Sequence, residues 1–431
     1  MISVNIISGI IIIGAILVIA LRVLARSGLP VKDNKFFSTL LRDHSRHSGF
    51  VATPKETSAV FGISFLFRIL VFIISIFAIF IMNNEPFSFD KLINTYMQWD
   101  ANNYFRIATG GYSYHVENGA YTTLAFFPLY PWIVRVFNLF IRNMTASGLV
   151  VSSLAYSGAC AYMYNMMSSD YNKQTTIRAI VFMSVFPHSL FFGTMMNESM
   201  LLFTAMATLY YIRRHSWAKA GIFGALASLS RLAGIMLVIP AAVEWIEHYR
   251  IIKLLRKKSF KKIWQLFYKK ALWIFVMPLG TFIYLACNYH TTGEWFKFLE
   301  YQETIWNNTT VYWGKCLSVI LDRVAHDTSF TRYALWLPEF IAILFAAILL
   351  IYGIRRTRNL YTSFLVVYMI INMSMGWPLS IARYMTCAIP AFMILSDFSE
   401  RHKWTEQLIT ATMAIAFGVF FTAYFMSRQV L

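Results

Sequence analysis

Long apolar stretches separated by short polar ones set the rhythm of this chain. Runs able to cross a bilayer fall near residues 5 to 22, 58 to 82, 145 to 166, 177 to 195, 198 to 212, 271 to 287, 336 to 353, 359 to 377, 383 to 398 and 405 to 427. A helix crossing the hydrocarbon core needs about 20 residues of this kind. Two stretches break the pattern. Residues 124 to 141 (LAFFPLYPWIVRVFNLFI) carry two prolines and an arginine, as in a segment that re-enters or lies in the interface. Residues 218 to 246 are too long for one span and are interrupted at Ser230-Arg231, which predicts two short helices meeting at a tip inside the membrane region. The stretch Ile6 to Leu21 lacks a basic start and an A-x-A cleavage site, so it reads as a retained first helix. The fold class expected is an all-α polytopic membrane protein of roughly eleven or twelve membrane helices, including a short helical hairpin and a helical first outer loop.

Composition agrees with one membrane domain. A chain of 431 residues that is 58% hydrophobic and 13% charged cannot close a soluble core and still cover it with polar groups. The 38 Lys and Arg against 20 Asp and Glu would point to nucleic acid in a soluble protein. Here they hold loops on the cytoplasmic side and meet anionic headgroups, and no nucleic-acid partner is expected. By that rule 22 to 55, 172 to 178, 213 to 219, 250 to 270, 355 to 358 and 401 to 403 lie in the cytoplasm. This closes consistently only if 124 to 141 does not cross and 218 to 246 is a hairpin. Left outside are 83 to 123, the Asn197-Glu198 turn, the Arg231 tip, 288 to 335 and the turn from Pro378 to Arg383. Cys160, Cys287, Cys316 and Cys387 show no metal or redox spacing and read as small buried hydrophobes. Neither a Walker A sequence nor a Rossmann glycine fingerprint occurs.

The outward-facing list holds the residues able to do chemistry. Asp100 follows Trp99 on an amphipathic stretch that ends at Gly110-Gly111. At the membrane face, partial desolvation suits a carboxylate to proton abstraction; the alternative is a solvated acid paired with Arg106. Arg231 and Arg383 each lie between two apolar stretches, where a guanidinium is costly unless it meets an anion, and phosphate fits its planar fork; snorkelling to headgroups is the other reading. Glu198, after Asn197, can simply start a helix, and His188, after Pro187, can be a core histidine. The aromatic segment 288 to 335 (Trp295, Phe296, Phe298, Tyr301, Trp306, Tyr312, Trp313) suits either sugar stacking or interface anchoring.

Five segments in order resemble one family. Trp99-Asp100 with Tyr104 and Gly111-Tyr112, then Ala125 to Pro131 (AFFPLYP), Phe186-Pro187-His188-Ser189 through Asn197-Glu198-Ser199, Ala227 to Gly234 (ASLSRLAG) and Ser380 to Tyr384 (SIARY) are similar to the PIG-V family of glycosylphosphatidylinositol mannosyltransferases. That resemblance, over roughly residues 58 to 400, implies a GT-C glycosyltransferase that is inverting and metal-free, without a cofactor. It would move mannose from a polyprenyl-phosphate donor to a lipid or glycan acceptor at the non-cytoplasmic face. It implies a base at Asp100, donor-phosphate binding by Arg231 and Arg383, and substrate contacts from Trp99, Tyr104, Pro128, Tyr130, His188, Asn197, Glu198 and Tyr384. Residues 1–57 form an extra first helix and basic linker outside the match, and 58–431 the catalytic domain. Compact loops, and no cysteine-bearing aromatic motif after residue 288, point to a bacterial relative in a plasma membrane, with the endoplasmic reticulum membrane as alternative. The competing reading from another class is a transporter or flippase of lipid-linked sugars, and a third is a scaffold without activity.

Overall fold

The computed structural model describes residues 2–30, 49–81, 86–117, 119–426 and 428. Most of the basic linker expected within 22 to 55 (residues 31–48), and residues 83–85 and 118 of the first outer loop, lie outside the described residues. Among the described residues the architecture is all helical, with only two isolated bridges, Glu117 to Ala120 and Thr310 to Met375.

The chain begins with α1 (Ile2–Arg26) and α2 (Pro54–Ile76), which runs on as a wider turn to Ile81. Thr53 and Glu56 close the start of α2 by exchanging side-chain and backbone hydrogen bonds, with Pro54 in the first turn where its missing N–H costs nothing. Two short helices follow, α3 (Phe89–Thr95) and α4 (Asp100–Gly110), then α5 (Leu129–Ile141), α6 (Met144–Met167), α7 (Lys173–Ser184), α8 (Glu198–Arg213), α9 (Trp217–Ser230) and α10 (Val238–His248). Beyond these lie α11 (Ile251–Arg256), α12 (Phe260–Lys269), α13 (Leu279–Thr292), α14 (Lys297–Thr304), α15 (Trp313–His326), α16 (Leu337–Gly353), α17 (Asn359–Met373), α18 (Ile381–Tyr384), α19 (Ile389–Arg401) and α20 (Trp404–Phe425).

Among the described residues six helices are long and apolar enough to cross a membrane: Val4–Arg26, Pro54–Ile81, Met144–Met167, Ala271–Thr292, Arg332–Gly353 and Trp404–Phe425. They coincide with six of the apolar runs, and the chain is an integral membrane protein. The other expected spans are shorter or broken. In the run 177 to 195 the helix stops at Ser184, because Pro187 offers no N–H, and a 3₁₀ turn (Ser189–Gly193) follows. The run 383 to 398 is two pieces bent by 73°, with Pro390 in the first turn of the second. The run 359 to 377 ends its helix at Met373. The expected hairpin is present: α9 ends at Ser230, the backbone of Arg231 after it is extended, and the 3₁₀ turn Leu232–Leu237 leads back into α10. Leu129–Ile141 is a 13-residue apolar helix, about 20 Å long at 1.5 Å per residue and too short for the core.

Between helices in lipid, burying apolar surface gains little, because lipid tails are themselves apolar; close packing and buried hydrogen bonds do the work. The contact of α9 with α13 is of that kind. A Cβ added at Gly280 would lie 1.9 Å from the carbonyl oxygen of Ala225, so only glycine allows this approach. Ser228 Oγ then donates across the interface to Met277 O at 2.6 Å. Met144–Met167, Glu198–Arg213 and Trp217–Ser230 pack in series, with Pro54–Ile76 on the far side of the first of them. The first helix packs on Trp313–His326 and Asn359–Met373.

Candidate active site

Asp100 stands where a turn is forced into a helix. Gln98 donates to Tyr424 O at 2.9 Å, the Trp99 ring meets Tyr424 edge-on at 5.1 Å, and the Trp99 backbone is held at φ 48°, ψ −119°. A tryptophan in that conformation stores on the order of 1–3 kcal/mol of strain. Asp100 is the first residue of α4, where the helix dipole favours an anion. The other end of α4 is closed by Arg135, which donates to Ala108 O (2.6 Å) and Ile107 O (3.1 Å). That accounts for the arginine in the proline-rich run: it fastens α5 to the loop helix. Between them Tyr104 meets Phe126 and Tyr130 edge-on at 5.3 and 5.4 Å, and Tyr130 Oη donates to Gly148 O at 3.0 Å. Pro128 sits at the entry of α5.

The second strained turn is at Ser380, φ 72°, just before α18. Glu339 of α16 holds it, accepting from the Ala382 amide at 2.6 Å, and Tyr368 donates to Tyr384 O at 2.9 Å. The two strained turns bring Asp100 and Arg383 together.

Arg383 is the hub, 2% exposed, with its three nitrogens sent to three neighbours. Nη2 lies 2.5 Å from Asp100 Oδ2, Nε is 3.3 Å from Glu198 Oε1, and Nη1 is 3.5 Å from Met196 Sδ. Arg231, from the hairpin tip, approaches the same Glu198 oxygen at 3.6 Å and stacks 3.6 Å over the Tyr384 ring, whose hydroxyl accepts from Arg383 at 3.3 Å. Asn197 ties this to the hairpin by donating to Ser230 O at 2.9 Å. Two acids and two guanidinium groups thus form one chain of charge with no net excess. Glu198 is buried, but the Asp100 and Arg231 side chains keep 25% and 19% exposure, so the cluster opens on that side. Glu198 Oε2 and Ser230 Oγ lack hydrogen-bond partners there, and Arg383 Nε meets Glu198 as an ion pair without an aligned hydrogen bond; buried groups left so call for an explanation.

The structure therefore gathers Asp100, Glu198, Arg231, Arg383 and Tyr384, with Trp99, Tyr104 and Asn197 around them. The pairing of Asp100 with Arg106 is replaced by the pairing with Arg383. Glu198 starts its helix as expected and also bridges two arginines. His188 makes no direct contact with the cluster: it is buried, its ring 4.5 Å from that of Phe420 and stacked 6.4 Å from that of Phe191, within electrostatic reach of Arg383. Of the aromatic segment, Trp306 reaches Phe126 at 5.5 Å, while Trp295 stacks back on Tyr289 of α13. Two further buried charges escaped the sequence reading although each is alone in an apolar run: Glu339, and Arg68 of α2, which lies 4.2 Å over the Tyr156 ring and donates to Ser189 O at 2.9 Å. An isolated intramembrane charge was the available signal.

Residues 126–283 match the family model of the dolichyl-phosphate-mannose-protein mannosyltransferases. The match is to a mannosyltransferase family and does not extend to the glycosylphosphatidylinositol enzymes suggested by the sequence motifs. Against the curated proteins the sequence has no significant match. Among solved structures the chain is similar to ArnT from Cupriavidus metallidurans bound to undecaprenyl phosphate, at 14% identity and a TM-score of 0.49, over 87% of this chain and 72% of that one.

Proposed function

We propose that the chain is a GT-C membrane glycosyltransferase that moves a sugar, mannose by family resemblance, from a polyprenyl-phosphate donor to a lipid or glycan hydroxyl on the non-cytoplasmic face. The observation that carries this reading is the Asp100–Arg383–Glu198–Arg231 chain: an acid fit for a base, next to two guanidinium groups fit for a phosphate. The family-model match over 126–283 supports the transferred class.

In this reading the donor phosphate competes with the carboxylates for the arginines. Arg231, the more exposed of the two, meets the phosphate first, and Arg383 turns part of its fork from Asp100 toward it. The freed Asp100 carboxylate takes the proton of the acceptor hydroxyl. The acceptor oxygen bonds to the anomeric carbon from the face opposite the leaving group, and the carbon–oxygen bond to phosphate breaks. Polyprenyl phosphate leaves with the electron pair, its charge met by the two arginines, and the anomeric configuration inverts. Glu198 keeps the arginines neutralised and apart between turnovers.

The test is transfer of label from radiolabelled polyprenyl-phosphate mannose to a membrane lipid extract by the purified protein. Transfer by wild type and its collapse in Asp100→Asn support the proposal; no transfer by wild type, or undiminished transfer by the variant, rejects it.

A further inference from the structure

The charge that the candidate active site does not use is concentrated between α10 and α13. Residues 250–270 (RIIKLLRKKSFKKIWQLFYKK) contain nine Lys and Arg and no acid. They fold into α11 and α12, and each helix presents a different surface.

The α11 side is a built recess of ≈ 490 Å³ between the end of α1 and α11, lined by Arg26, Gly28, Arg250, Lys253, Arg256 and Lys257. Its walls are pinned together: the Lys253 amide donates to Ser27 O at 2.9 Å and Arg256 Nη1 to Gly28 O at 3.0 Å. Gly28 has φ 109°, and a Cβ there would lie 2.5 Å from that of Lys253, so the close approach depends on glycine. Arg26 is within electrostatic reach of Glu247, which leaves Arg250, Lys253, Arg256 and Lys257 as the excess positive charge facing the recess.

The α12 side is amphipathic. Phe260, Ile263, Trp264 and Phe267 recur at helical spacing, with Lys261, Lys262, Gln265 and Lys269 on the remaining positions. Among the described residues none covers the outer aromatics: Phe260, Trp264 and Tyr268 are 63%, 68% and 66% exposed. The candidate span Ala271–Thr292 begins directly after α12, so the chain enters the bilayer at that point. A basic helix with bare aromatics next to a span lies in the plane of the headgroups, with its apolar face toward the acyl chains.

We propose that α11, α12 and the end of α1 form a binding site for an anionic glycerophospholipid in the leaflet where α12 lies. Its phosphate sits in the recess among Arg250, Lys253, Arg256 and Lys257, and its acyl chains lie along the Phe260–Trp264 face. A soluble anion would use the recess alone; the adjoining apolar face selects the lipid.

The full chain is reconstituted in nanodiscs of phosphatidylcholine with a minor fraction of phosphatidylglycerol, transferred to detergent, and its retained lipid measured by mass spectrometry. Phosphatidylglycerol is enriched over its input, and Arg250→Ala with Lys253→Ala lowers the enrichment by about fivefold or more. Lys253→Arg keeps it, which a folding defect would not. In a Cys287→Ser background, a fluorophore on Trp264→Cys is quenched by acyl-chain nitroxide lipids and one on Gln265→Cys is not. Absent enrichment, enrichment unchanged in the double variant, equal quenching at both positions, or displacement of the lipid by inorganic phosphate each overturns the proposal.

Discussion

Helix α8 carries a buried charge cluster at each end, and the two are built differently. At its C-terminal end Asp170 is fully engaged: Arg213 grips it with Nε at 2.8 Å and Nη2 at 2.7 Å, and Tyr361 donates to Oδ2 at 2.8 Å. Glu244, Arg358 and His215 extend the network, whose unpaired atoms, Glu244 Oε2 and Arg358 Nε, lie farther along it. At the N-terminal end Glu198 offers one oxygen to two arginines and leaves the other unpaired, and Asp100 holds Arg383 by a single contact. A bidentate pair saturated by a third donor fixes helices. A chain of single contacts, flanked by two strained turns and open on one side, is an arrangement whose partners can be exchanged. The same residue types therefore serve rigidity at one end and, in the proposed reading, chemistry at the other.

Substituting the acid at each end should separate these roles. Asp100→Asn is expected to lower sugar transfer by about 10²–10⁴-fold, the usual worth of a general base, while the detergent-solubilised protein melts within a few degrees of wild type. An Asn variant that melts far lower would make Asp100 one more structural acid like Asp170. Arg383→Lys keeps the charge but not the fork, so it cannot face Asp100, Glu198 and a phosphate together. Transfer should fall by about 10²-fold, with a weaker loss at saturating donor if part of the effect is binding.

Asp170→Asn should do the reverse. Removing one partner of a buried pair costs about 3–5 kcal/mol, read as a lower midpoint in denaturant, with transfer per folded molecule retained. Its pH dependence follows from the same contacts. Burial pushes the Asp170 carboxyl up, but the Arg213 fork, with Arg358 and Tyr361 behind it, outweighs this and holds it below the usual carboxylate range. A depressed carboxylate contributes stability that is present above its unfolded value of about 3.9 and is lost as pH falls through the lower folded value. Acid midpoints of wild type and Asp170→Asn should therefore converge at low pH. A stability gap that persists unchanged below that range would place the effect in packing.

Much of this was legible in the pattern of residues. Six apolar runs became the six long helices because span length is written directly in hydropathy. Arg231 and Arg383 stood out because a charge at an apolar junction is rare and costly, Asp100 because it follows Trp99 on an amphipathic outer stretch, and Glu198 because it opens a helix at an outer turn. The pairing was hidden: Asp100 and Arg383 are 283 positions apart, and no local period relates them, so nearby Arg106 was the nearest visible partner. The broken helices were hidden too, since runs through Pro187 and Pro390 remain apolar while their backbones turn. Those breaks are what place Glu198 and Arg383 within reach of each other.

The finest test of the contrast is Tyr384. Its ring lies 3.6 Å under the Arg231 guanidinium, and its hydroxyl accepts a long 3.3 Å hydrogen bond from Arg383. Tyr384→Phe removes the bond and keeps the ring, so transfer should fall only about threefold to tenfold, the scale of one modest hydrogen bond. Tyr384→Ala also removes the surface that orients Arg231, a cation–π contact worth about 2 kcal/mol when desolvated, and should fall further, mainly as weaker donor binding. Equal effects of Phe and Ala would mean that the hydroxyl alone matters and that Arg231 is oriented by Glu198. At the Asp170 end Tyr361→Phe is the matching control: it loses a 2.8 Å bond to an already gripped carboxylate and should lower stability while sparing transfer.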